Sequence, residues 1–225
     1  MARFSRMKVL NAMYDIGLVV VFYHPDIEVV KNVTKAAFEG GAKLIEFTNR
    51  GDGAWQVFAE LEKYCAKELP GMITGVGSIV DPYTAATYIN NGANFVVGPL
   101  LNPEVAKICN RRKVPYSPGC GTVSEISQAE ELGCEIVKAF PGGEVGGPNF
   151  VKNIKGPCPW TSIMPTGGVD TTEESLKAWF QAGICCAGIG SNLVSKDILD
   201  KKDYGQITER AKKALQIIAS VKKPA

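Results

Sequence analysis

Eight short apolar runs rich in β-branched residues recur along the chain: LVVVFY from 18, KLIEFT from 43, MITGVG from 72, NFVVGP from 94, VPYSPG from 114, EIVKAF from 135, WTSIMP from 160 and ICCAGIG from 184. Successive starts lie 20 to 29 residues apart. Runs this short and this apolar read as strands of a parallel sheet, covered on both faces. Between them lie segments of helical character at 27–39, 55–67, 83–90, 104–111, 123–132 and 172–182. Several are opened by Asp, Asn or Thr, whose short side chains cap free N–H groups. A last helix is predicted over 204–221. Strand–helix units at near-constant spacing mean a parallel α/β fold, and eight of them are what a (β/α)8 barrel needs. No Ser/Gly/Pro-rich linker divides the chain, so residues 1–225 are expected to form a single domain. An open doubly wound sheet is the alternative.

Two charges break the apolar pattern. Lys138 interrupts the run Ile136, Val137, Ala139 and Phe140. Burial favours the neutral form of an amine, and a neutral amine attacks carbonyl carbon. The alternative is a lysine that snorkels to solvent or pairs with a carboxylate. In the second run, alternation puts Leu44, Glu46 and Thr48 on one face and Ile45 and Phe47 on the other. Glu46 is therefore expected to point inward, with Lys138 an available partner. A buried ion pair is weak evidence for stability, which favours a functional pair over a structural one.

In a barrel the functional groups lie at the C-terminal ends of the strands. The third run ends Thr74-Gly75-Val76-Gly77-Ser78, where glycines are expected to let backbone approach a ligand and the serine to contact it. Gly98-Pro99 and the stretch from Ser117 to Thr122 read as tight turns. Runs seven and eight lead into Thr166-Gly167-Gly168-Val169 and Gly188-Ile189-Gly190-Ser191-Asn192. Paired glycine turns there offer free N–H groups to a phosphate, turn chemistry alone being the alternative. His24, the one histidine, follows the first run and is expected to be satisfied or solvent-exposed and not catalytic.

Composition narrows the partners. The net charge is +2 with both signs interspersed, so no nucleic acid or anionic membrane is implied. Lys212, Lys213, Lys222 and Lys223 read as a solvated helix face and tail. The seven cysteines contain no CxxC pair and are expected to be small buried hydrophobes in a reducing compartment. The apolar run at 16–23 is too short to span a membrane and has no cleavage site, so a cytoplasmic location is expected.

GAKLIEFTNR (41–50) and GCEIVKAFPGGEVGG (133–147) resemble the two signature segments of the 2-keto-3-deoxy-6-phosphogluconate (KDPG) and 4-hydroxy-2-oxoglutarate (KHG) aldolase family, in the same order and at similar separation. VPYSPGCGTVSE, PTGGV and GIGSNLV are also similar to that family's segments, so the resemblance covers nearly the whole chain. It implies a class I aldolase on a (β/α)8 barrel, commonly a homotrimer, that cleaves a 2-keto-3-deoxy acid to pyruvate and an aldehyde without metal or cofactor. Carried over by position, it implies Lys138 as the Schiff-base lysine and Glu46 as the proton-transfer acid/base. Arg50 and Ser78 would hold the pyruvyl carboxylate, and Pro99, Phe140 and Thr166 would line the site. Gly167, Gly168, Gly190 and Ser191 would receive the phosphate.

The chain departs from the family pattern at Ser78, usually threonine, at Asn49 and Ala139, and at Ile189-Gly190, usually Gly-Gly; Asn192 also differs. The loop over 142–149 looks longer than usual. The expected substrate is KDPG, giving pyruvate and glyceraldehyde 3-phosphate. The alternatives are 4-hydroxy-2-oxoglutarate, the galactonate-derived epimer of KDPG, or a non-catalytic phosphosugar-binding barrel. Lys138, Glu46 and Arg50 together argue against the last.

Overall fold

Each of the eight runs contains strand in the computed structural model, which describes residues 2–222 and leaves Lys223 of the basic tail outside. The strands are β1 (Leu18–Phe22), β2 (Leu44–Thr48), β3 (Ile73–Gly77), β4 (Val96–Val97), β5 (Tyr116–Ser117), β6 (Gly119–Cys120), β7 (Val137–Ala139), β8 (Ile163–Pro165) and β9 (Ala187–Ile189). The fifth run yields both β5 and β6, because Pro118 between them has no N–H to carry the ladder on. All pairing is parallel. One sheet runs β5-β4-β3-β2-β1-β9 and the other β6-β7-β8. They meet at Pro118 and at a bridge between Thr166 and Gly188, which gives an α/β fold around a curled parallel sheet.

The helices are α1 (Arg6–Ile16), α2 (Ile27–Glu39), α3 (Ala54–Glu68), α4 (Pro82–Asn90), α5 (Pro103–Arg112), α6 (Val123–Glu131), α7 (Gly147–Lys155), α8 (Glu173–Ala182), α9 (Lys196–Lys201) and α10 (Gly205–Val221). The seven predicted from periodicity end within one residue of expectation. Their starts are chemically marked: Asp26, Asp81, Asn102 and Thr172 each accept a first-turn N–H, and Thr122 forms a capping box with Glu125. Helices α1, α7 and α9 were not expected. The stretch read as a loop over 142–149 instead passes into α7 at Gly147-Pro148, a proline being suited to the first helical position.

Alternation along β2 sorts the core. Ile45 and Phe47 pack outward against the helices, while Leu44 faces an interior cluster with Val19, Ile73, Phe95, Val97, Ile136 and Met164. Helix α1 adds Val9, Leu10 and Met13 to that interior cluster. Each buried side chain of that kind contributes about 1.5–3 kcal/mol, so α1 closes the lower end of the sheet with apolar packing and leaves the polar positions for the opposite end. Six cysteines are buried and Cys158 is half-buried, all free. Burial pushes the thiols of Cys65, Cys109, Cys120 and Cys134 up to about 12, which makes them inert packing groups. Among the described residues, no helix is long and apolar enough to cross a membrane.

Candidate active site

The interior turns polar one layer above the apolar cluster. Lys138 on β7 is 5% exposed and Glu46 on β2 is 1% exposed, and Lys138 Nζ lies 3.9 Å from Glu46 Oε1. The other carboxylate oxygen, Oε2, is buried without a hydrogen-bond partner. Room for the carboxylate comes from Gly77 on β3, where a Cβ would run into Glu46. Gly75 makes room for the Phe95 ring in the same way. These two glycines thus serve neighbouring side chains, which corrects the expectation that they exist for close approach to a ligand. Loss of solvent raises the Glu46 carboxyl above its ordinary range, and the cations of Lys138 and Arg50 oppose that rise. Lys138 Nζ also sits 4.6 Å from the centre of the Phe140 ring.

Phe140 connects the pair to a cleft of about 360 Å³ at the C-terminal ends of the strands. Arg50, Phe140, Thr166, Gly167, Gly168, Gly190 and Ser191 all line it. Lys138 and Glu46 are not among its lining residues, whereas Phe140, over whose ring Lys138 Nζ sits, is. Ser78 and Pro99 do not line it. Ser78 directly follows Gly77, and the Pro99 carbonyl abuts Gly119, the register partner of Lys138. Ser78 has φ of 61°, a left-handed conformation that costs a serine about 1–3 kcal/mol and is most often retained where a site needs it. His24 is absent from the cleft lining, and its Nδ1 accepts the Asp26 N–H at 3.1 Å.

Local contacts hold each loop. The Arg50 N–H donates to the Thr48 carbonyl at 2.9 Å, and the Tyr88 hydroxyl donates to Asn49 Oδ1 at 2.8 Å, tying the turn that carries Arg50 to α4. Thr166 Oγ1 is buried, has no partner and lies against Gly188. Gly167 and Gly168 have φ of 84° and 75°, and a Cβ on Gly168 would come within 2.7 Å of Gly143 Cα. The two glycine turns on either side are stitched together, since Gly142 N–H donates to the Thr166 carbonyl and Gly143 N–H to that of Gly167. The N–H groups of Gly167, Gly168, Gly190 and Ser191 find no backbone or side-chain acceptor among the described residues.

Comparison with known proteins agrees with this geometry. The family model described as "Aldolase: KDPG and KHG aldolase" matches residues 9–210. The chain belongs to the KDPG and KHG aldolase family. It is 30% identical over 184 residues to the KHG/KDPG aldolase of Escherichia coli K12, covering 82% of this chain and 84% of that one. It is 30% identical over 204 residues to the 2-dehydro-3-deoxy-phosphogluconate aldolase of Pseudoalteromonas atlantica, covering 91% and 92%. Its fold matches the KDPG aldolase of Legionella pneumophila, solved with pyruvate captured as a covalent carbinolamine, with a TM-score of 0.81 at 23% identity over 94% of this chain and 97% of that one.

As a member of this aldolase family the chain is an enzyme of the lyase class. Sequence reasoning missed several residues around its cleft. Val21, Thr48 and Val194 line it, and so does Asn192, noticed beforehand only as a departure from the family pattern. Thr48 was legible, since it shares the inward face of β2 with Glu46. Arg210 was not. It lies on α10, 18 residues beyond Asn192, yet its Nη1 donates to the Asn192 carbonyl at 3.2 Å. Nothing local in the sequence points from an outer helix to that turn.

Proposed function

We propose that this chain is a class I aldolase that cleaves KDPG to pyruvate and glyceraldehyde 3-phosphate through an imine on Lys138. The observation that carries the reading is the buried Lys138–Glu46 pair behind a cleft lined by Arg50. The amine adds to C2 of the keto acid, and loss of water leaves a protonated imine. Glu46 takes the proton of the C4 hydroxyl, the C3–C4 bond breaks, and its electrons move into the imine to leave an enamine and the aldehyde. Protonation at C3 and addition of water then release pyruvate and the free amine. One Glu46 oxygen faces Lys138 and the other is unpartnered, which supports its serving these transfers in turn. Arg50, with Ser78, orients the carboxylate by charge-assisted hydrogen bonds, Pro99, Phe140 and Thr166 shape the site, and the N–H groups of Gly167, Gly168, Gly190 and Ser191 take the phosphate. The covalent carbinolamine named for the Legionella protein supports the lysine chemistry.

The same reading closes the two sheets into one (β/α)8 barrel, with Pro118 and the Thr166–Gly188 bridge as its seams, in a single domain that assembles as a cytoplasmic homotrimer. Val80, Tyr83, Leu100 and Val123 leave apolar side chains exposed that such an assembly would cover. Sedimentation at micromolar concentration tests the trimer. The substrate is tested by pyruvate release from a panel of KDPG, its galactonate-derived epimer, their unphosphorylated analogues and 4-hydroxy-2-oxoglutarate. KDPG is expected to give the highest kcat/KM. A higher value on another member reassigns the substrate, and no pyruvate from any of them leaves a phosphosugar-binding barrel.

A further inference from the structure

Among the described residues, Asn192 is the side chain whose hydrogen bond joins the two glycine turns. It follows Gly190-Ser191, and its Nδ2 donates to the carbonyl of Val169, which follows Gly167-Gly168, at 3.0 Å. Its own carbonyl is held from behind by Arg210 Nη1 at 3.2 Å, and Arg210 Nη2 in turn leans on Gln206 Oε1 at 3.4 Å along α10. The residue therefore links three elements: the turn after β8, the turn after β9 and the last helix. Below them the strands that carry the turns are also joined by the Thr166–Gly188 bridge.

An anion held by backbone N–H groups from two separate turns depends on their spacing, because each N–H···O bond weakens steeply once its distance or angle is lost. The four N–H groups with no internal acceptor lie on the two turns that Asn192 joins. We propose that Asn192, braced by Arg210, is a positioning residue that sets the spacing of these turns and thereby the enzyme's preference for phosphorylated over unphosphorylated keto acids. This rests on the reading of the turns as a phosphate site. Arg210 adds a cation to the same corner, and its hydrogen bond to the Asn192 carbonyl polarises the Asn192–Leu193 peptide, whose N–H donates to the Gly190 carbonyl at 2.9 Å.

The test is a selectivity ratio, kcat/KM for KDPG divided by that for its unphosphorylated analogue, in the wild type and in Asn192→Ala, Asn192→Leu, Arg210→Ala and Arg210→Lys. A ratio cancels the fraction of folded enzyme, so a partly misfolded variant still reports. One lost hydrogen bond of about 0.5–1.5 kcal/mol corresponds to a fall of roughly 2- to 12-fold. Both Asn192 variants are expected to lower the ratio by that much, through KM for KDPG, and to weaken competitive inhibition by inorganic phosphate by the same factor. Arg210→Ala is expected to lower it less and Arg210→Lys to restore part of it. A wild type that prefers KDPG, with the ratio unchanged in Asn192→Ala and Asn192→Leu, overturns the positioning role and leaves the phosphate site standing. A wild type with no preference and no inhibition by phosphate overturns both.

Discussion

Lys138 Nζ and Glu46 Oε1 face each other at 3.9 Å from β7 and β2, strands that do not pair with one another. That separation is too long for a hydrogen bond, so neither group is committed to the other. A purely structural buried pair needs close geometry and further hydrogen bonds to offset desolvation, and here one carboxylate oxygen has none. Both groups therefore keep hydrogen-bonding capacity that a static ion pair would have used up.

If Lys138 forms the imine, pyruvate with borohydride is expected to inactivate the enzyme irreversibly, with the reduced adduct on the peptide containing Lys138. Mass spectrometry locates the adduct. Labelling at another lysine, or inactivation that persists in Lys138→Ala, refutes the assignment.

Glu46→Gln preserves size and removes the proton acceptor. Imine trapping is expected to survive while turnover falls by roughly 10²–10⁴. Because desolvation raises this carboxyl, the acid limb of kcat/KM is expected above the ordinary carboxylate range, with activity lost as pH falls through the folded value. The stability sign is opposite. A raised folded value means the folded state holds the proton more tightly, so this contribution is present at acid pH and lost as pH rises. Melting curves across pH are therefore expected to show Glu46→Gln gaining on the wild type as pH increases. Near wild-type turnover in Glu46→Gln would demote Glu46 to packing.

Much of this was legible beforehand, for reasons that differ by residue. Lys138 and Glu46 stood out because a charge in a buried strand is rare, and period-two alternation gives its direction. The eight strand-bearing runs showed because both faces are apolar. Helix α1 went unread although Val9, Leu10 and Met13 carry a helical spacing, since no strand precedes it to set the repeat. Gly75 and Gly77 could be seen but not explained, because Phe95 and Glu46, which fill their missing side chains, come from neighbouring strands. Arg210 at the Asn192 turn is a tertiary contact with no local signature.

The two β3 glycines give a matched pair of variants. A methyl at Gly77 meets the Glu46 carboxylate, whereas one at Gly75 meets the Phe95 ring. Overpacking costs typically about 1–3 kcal/mol in either case, so both are expected to melt earlier. Only Gly77→Ala displaces Glu46, so if that carboxylate transfers the proton the variant is expected to lower kcat of the folded fraction by tenfold or more, on the order seen when general acid–base groups are misplaced by an ångström. Gly75→Ala, whose methyl meets the Phe95 ring and not the carboxylate, is expected to lose less kcat than Gly77→Ala when both are normalised to folded enzyme. Equal kcat losses in both would mean that the effect travels through the sheet and not through Glu46.

The far end of the substrate is best probed with charge at Ser191. Gly168→Asp looks the obvious choice, but Gly168 has φ of 75° and a Cβ there would approach Gly143 Cα at 2.7 Å, so any side chain strains the turn before its charge matters. Ser191 is exposed, lines the cleft and carries one of the free N–H groups, so an aspartate fits without that strain. A carboxylate about 4 Å from a phosphate costs roughly 1 kcal/mol in bulk water and about 4 kcal/mol near a protein surface. Ser191→Asp is therefore expected to cut kcat/KM for KDPG by roughly 5- to 1,000-fold and to spare the unphosphorylated analogue, while Ser191→Asn leaves the preference in place. The loss is expected to shrink as salt rises from about 0.01 M to 1 M, where the screening length contracts from about 30 to 3 Å. Equal losses on both substrates, or a loss that salt does not relieve, would place the phosphate elsewhere in the cleft and leave the chemistry at Lys138 untouched.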